Sequence, residues 1–94
     1  MKTPTTTWPL TFELDSWVSV DAVQFGIDVN AEKGEAVGFR SLRGRFIRLD
    51  SHHDAHDCAN YIHREALLES SPKDRREMFE DARRLIREAD RIGE

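Results

Sequence analysis

The chain has 94 residues, 38% of them apolar and 34% charged, with a formal net charge of −4. That balance suits one globular domain (residues 1–94) with a highly charged surface, and it excludes a disordered chain. No run approaches the roughly 20 apolar residues that span a bilayer, "MKTPTTTWPL" lacks a secretory apolar core, and the single cysteine, Cys58, excludes an internal disulfide and fits a cytoplasmic setting.

Residues 1–9, with Pro4, Pro9 and a threonine run, read as a flexible arm that Trp8 can pin down. Phe12, Leu14, Val18 and Val20 share one parity, which predicts a strand bent near Asp15–Ser16. Val23, Phe25, Ile27 and Val29 alternate with Gln24, Gly26 and Asp28, and predict a second strand. "NAEKGE" then reads as a hairpin loop with Gly34 at positive φ. Val37 and Phe39 mark a third strand. Arg43–Gly44 is a tight turn into "RFIRL", where Ile47 and Leu49 face one way and Phe46 and Arg48 the other. Residues 10–49 are thus expected to form an antiparallel meander of about four strands.

The period then changes. Ala55, Cys58, Ala59, Ile62, Ala66 and Leu67 recur at helical spacing, predicting a helix over 53–69 capped by Ser51. "SSPKD" supplies Ser71 as N-cap, Pro72 at the first helical position and Asp74 in the first turn of another. Met78, Ala82, Leu85, Ala89 and Ile92 step by four and three along it. The outer face offers the pairs Glu80–Arg84 and Glu88–Arg91. The fold class is α+β: a four-stranded antiparallel sheet with two C-terminal helices, over 53–92, on one face.

Charge is segregated along the chain. Between Leu10 and Glu35, six acids (Glu13, Asp15, Asp21, Asp28, Glu32, Glu35) face Lys33 alone. "AVGFRSLRGRFIRL" follows with Arg40, Arg43, Arg45 and Arg48 and no acid, and "DSHHDAHD" adds Asp50, Asp54 and Asp57. Alternation of this kind predicts complementary neighbours across a sheet.

Three of the four histidines lie in "HHDAHD". On a helix His52 and His56 share a face at i,i+4, with His63 two turns beyond, so these three are the candidate metal ligands. No cysteine pair or second histidine-rich stretch exists to complete a four-ligand site, and the glutamate that follows the first histidine of a zincin helix is lacking. The plainer reading, and the one favoured, is a solvated helix start in which Asp54 and Asp57 complement the macrodipole. No metal and no cofactor is therefore expected. Cys58 falls on an apolar stripe and reads as core, not nucleophile. No phosphate loop or nucleophile motif is visible, so no enzymatic activity is expected.

Arg40, Arg43, Arg45 and Arg48, interleaved with Phe46, are candidates to bind nucleic acid, as in a small RNA-binding module. The overall acidity opposes direct nucleic-acid binding. A non-enzymatic protein-binding role fits better. The layout, with "VQFGIDVNAEKGEAVGF" followed by "PKDRREMFEDARRLIREADRIGE", resembles small phage-encoded inhibitor proteins of the anti-CRISPR type. That resemblance implies an acidic surface that occupies a basic, nucleic-acid-handling partner protein. The contacts it implies are Asp21, Asp28, Glu32, Glu35, Asp50, Asp54 and Asp57. A dimerising accessory, antitoxin or immunity-type protein is the alternative, with the long last helix as the surface of a homodimer.

Overall fold

The computed structural model describes residues 8–34 and 38–92; Glu35, Val37 and the residues before Trp8 lie outside that range, and with them most of the expected arm. The elements run β1 (Leu10–Glu13), α1 (Trp17–Lys33), β2 (Phe39–Ser41), β3 (Phe46–Leu49), α2 (His52–Leu68) and α3 (Pro72–Asp90). The expected four-stranded meander over 10–49 is corrected to three strands and a helix. The segment that alternates best, Val23 to Val29, is helical, and "NAEK" continues the same helix instead of opening a hairpin.

The buried face of α1 explains the difference. Ser19, Val20, Val23 and Gly26 are buried and Ile27 is half-buried, a spacing of three and four. Two of those positions are serine and glycine, while Trp17 and Phe25 stand outside at 62% and 67% exposure. The apolar residues therefore encircle the axis, and their order along the chain imitates a strand. What fixes the helix is at its ends. Ser16 is its cap, its Oγ accepting from the Ser19 N–H at 3.2 Å. The Asp81 carboxylate, from the middle of α3, accepts from the N–H of Asp15 at 3.0 Å and of Ser16 at 2.8 Å. A buried anion at a helix N-terminus satisfies orphan donors and complements the dipole. Gly34, at φ 75°, closes the other end in the left-handed conformation that suits glycine.

The sheet order is β1-β3-β2, with both outer strands antiparallel to β3. β1 and β2 are hence parallel to each other and joined by α1 across the intervening strand, a split β-α-β arrangement. Leu10 and Phe39 flank Leu49, and Phe12 and Ser41 flank Ile47; of these, Phe12, Phe39, Ile47 and Leu49 are buried under the helices. Thr11, Glu13, Arg40, Phe46 and Arg48 occupy the opposite, exposed face. The turn at Arg43–Gly44 and the two facings of "FIRL" match the sequence reading.

The two C-terminal helices also match it. Ser51 caps α2, its Oγ accepting from the Asp54 N–H, and Ser71 caps α3 in the same way with Pro72 at its start. Ala55, Cys58, Ala59, Ile62 and Ala66 of α2 are buried against Met78, Ala82, Leu85 and Ala89 of α3. The pair Glu88–Arg91 forms at 3.4 Å, but Glu80 pairs with Arg83 and not Arg84. Arg84 is drawn inward instead, to Asp81 at 3.2 Å and to the Glu13 carbonyl at 3.0 Å.

Candidate functional site

The acidic residues fall into two groups with different surroundings. Asp21, Asp28 and Glu32 all project from the outer face of α1, and Phe25 stands between the first two at the helical spacing 21, 25, 28, 32. Each of the three carboxylates is exposed, and among the described residues none of them enters an ion pair. Glu35, the fourth acid of that stretch, lies outside the described residues. Asp50, Asp54 and Asp57 are engaged locally. Asp50 pairs with Arg48 at 3.0 Å and Asp57 with His53 at 3.3 Å. Asp54 accepts from the Asp50 N–H at 3.4 Å.

Beside the α1 stripe runs an open trough between α1 and α2. One part, about 510 Å³, is lined by Phe25, Gly26, Val29, Tyr61 and Leu68. A second, about 480 Å³, continues past Asn30 and Tyr61 to Asp57, Asn60 and His63. The two helices approach closely at its centre: a Cβ on Gly26 would run into the Tyr61 ring. Of the residues lining it, Phe25 at 67% and Leu68 at 79% exposure leave large apolar side chains facing water. Burial raises the Tyr61 hydroxyl pKa, and Glu65 adds to the shift against a smaller opposing effect of Arg64. The phenol is therefore a neutral hydrogen-bonding group in this trough.

The four arginines do not act as one patch. Arg40 and Arg48 are Cα partners across β2 and β3 on the exposed sheet face, with Phe46 one step along the same face. Arg45 folds over the Trp17 ring, 4.0 Å from its centroid, and Arg43 sits in the turn.

The histidines separate as well. His52 and His56 stay together on α2, and Asp90 from the end of α3 joins them; one ligand atom from each lies within 4.8 Å of the others. His63 instead packs against Phe79 of α3, at 4.9 Å between ring centroids. Asp90 carried no sequence signal, because only the antiparallel packing of α2 on α3 brings it to the start of α2. Cys58 is buried in the core, where desolvation and then the Asp57 charge push its thiol pKa well above the ordinary range. It is a packing residue, as its place on the stripe indicated.

No helix among the described residues is long and apolar enough to cross a membrane. No protein-family model matches the chain, and no curated protein or solved structure matches it either.

Proposed function

We infer that the protein is a non-enzymatic binding protein that docks on a basic partner protein through the outer face of α1 and the adjoining trough. One observation carries this reading. Three carboxylates without ion-pair partners among the described residues line up on one helix face around an exposed phenylalanine. Exposed acids with an apolar anchor complement a surface that offers arginine or lysine around an apolar recess. Burying the exposed part of Phe25 would contribute about 1–2 kcal/mol, or roughly tenfold in affinity. The acids would speed encounter and select against acidic surfaces. Proteins that handle nucleic acid present such basic surfaces, so occupying one would make this chain an inhibitor of the anti-CRISPR kind. The support for that role is now the acidic helix face, since "VQFGIDVN" is a helix and not part of a meander.

The test is a pull-down from lysate of the native host, comparing the wild-type chain with an Asp21→Lys/Asp28→Lys/Glu32→Lys variant and with Phe25→Asp. A basic nucleic-acid-handling protein that is retained by the wild type, eluted by salt and lost from both variants supports the reading. Equal retention by all three chains refutes it.

The sheet favours a second reading through Arg40, Arg48 and Phe46, which share an exposed face that no helix among the described residues covers. Such a face resembles the base-stacking platforms of RNA-binding sheets. Glu13 on the same face and the Arg48–Asp50 pair oppose it. A salt-sensitive mobility shift with single-stranded oligonucleotide, abolished in Arg40→Glu/Arg48→Glu, would support it; no shift at low salt would end it.

A further inference from the structure

We propose that His52, His56 and Asp90 form a binding site for a divalent transition cation of the zinc type, clamping the start of α2 to the end of α3. The three donors come from two elements. His52 and His56 occupy one face of the first turns of α2, and Asp90 ends α3. Their ligand atoms lie within 4.8 Å of one another, with His56 Nε2 already 3.9 Å from Asp90 Oδ1. Ligands at zinc–nitrogen and zinc–oxygen distances of about 2.0–2.2 Å in a tetrahedron stand roughly 3.3 Å apart. At 48% and 63% side-chain exposure, His56 and Asp90 have room to turn towards a shared ion.

His52 is the anchored member. Its Nε2 lies 3.1 Å from the carbonyl of Ile92, and Trp8 meets its ring edge-on with centroids 5.2 Å apart. These two contacts hold the imidazole ring in place at the start of α2. That is the support by which metal-binding histidines are commonly oriented. The donor set also discriminates among ions. Two imidazoles and one carboxylate suit zinc and its transition-metal neighbours, whereas magnesium and calcium take oxygen ligands. Three protein ligands leave a fourth position for water or for a side chain of another macromolecule. The adjacent His53–Asp57 pair, also at i,i+4, has no third donor grouped with it among the described residues and serves as the internal control. This site is separate from the α1 docking face, and neither depends on the other.

The experiment uses untagged, chelator-stripped protein, followed by thermal unfolding with zinc chloride or magnesium chloride, titration calorimetry, and cobalt(II) absorption. Zinc at a hundredfold over its Kd is expected to raise the midpoint on the order of 10 °C, with magnesium inert. One equivalent binds, and cobalt gives the visible band of tetrahedral nitrogen–oxygen coordination. His56→Ala and Asp90→Ala, both exposed positions, each weaken zinc more than about tenfold, while His53→Ala and Asp57→Ala do not. The proposal is overturned if zinc fails to stabilise the wild type. It is equally overturned if the stabilisation survives both His56→Ala and Asp90→Ala, or is lost as readily in His53→Ala.

Discussion

Replacing Asp81 with alanine removes a carboxylate that is 0% exposed yet joins α3 to the turn between β1 and α1. Two backbone donors lose their acceptor: the Ser16 N–H, which is buried, and the Asp15 N–H, which is partly so. An unsatisfied buried donor costs about 1–3 kcal/mol, and the half-exposed site at Asp15 falls at the low end. Arg84, with 34% of its side chain exposed, also loses a partner at 3.2 Å, for under about 1 kcal/mol because Asp15 and water remain available to it. The expected loss is about 3–5 kcal/mol, the range seen when one member of a buried pair is removed. A domain of this size has roughly 5–14 kcal/mol to lose, so the thermal midpoint should fall by more than about 12 °C. Asp81→Asn keeps one acceptor oxygen and should lose about half as much. Urea titration followed by far-ultraviolet circular dichroism measures both values, with Glu80→Ala as the exposed control. Native-state hydrogen exchange should show faster exchange at Ser16 and Ser19 in the alanine variant. A loss below about 1 kcal/mol, or one matched by Glu80→Ala, would refute the assignment of Asp81 as the residue that starts α1.

Cys58 should resist alkylation by iodoacetamide in the native protein and react fully in denaturant; rapid native reaction would contradict its burial. Its raised pKa also makes stability fall at high pH. The fold holds the thiol protonated while the unfolded chain ionises near the ordinary value of 9.0, so this contribution is intact below that pH and lost above it. Gly26→Ala should destabilise the wild type, because the added carbon meets the Tyr61 ring, yet stabilise a Tyr61→Ala background by up to about 1 kcal/mol through helix propensity. A double-mutant cycle with no coupling would place the two helices further apart than they are here. Arg40→Glu puts opposite charges across β2 and β3 and should raise stability by about 0.2–1 kcal/mol at low salt, less at high salt; a loss would mean that Arg40 has a partner on the sheet face.

The two C-terminal helices were legible because their signals are local. Ser51 and Ser71 each cap within three residues, Pro72 sits where its missing N–H does no harm, and the buried stripe of α3 repeats without interruption. The hairpin of β2 and β3 was legible for the same reason, its glycine turn and alternation lying within a dozen residues. α1 was not. Valine and isoleucine favour strands by propensity, Ser19 and Gly26 hid the buried face, and Phe25 advertised a core position that faces water. For the sites, the acid pattern of α1 was visible as composition, but its alignment on one face follows only from the helix. Of the three histidines weighed as metal ligands, His52 and His56 stay together on α2, whereas His63 packs against Phe79 and Asp90 of α3 lies beside the first two.

By itself the sequence determined the α+β class, the N-caps of α2 and α3, the β2–β3 turn and the burial of Cys58. Each depends on residues close enough in the chain to interact before anything else is folded. Tertiary structure decided that residues 17–33 wind into a helix, since beside the local Ser16 cap the acceptor of the Ser16 N–H lies 65 residues away on α3. It also decided that a carboxylate would meet the two imidazoles, because helices packed antiparallel bring the last residue of one beside the first of the other.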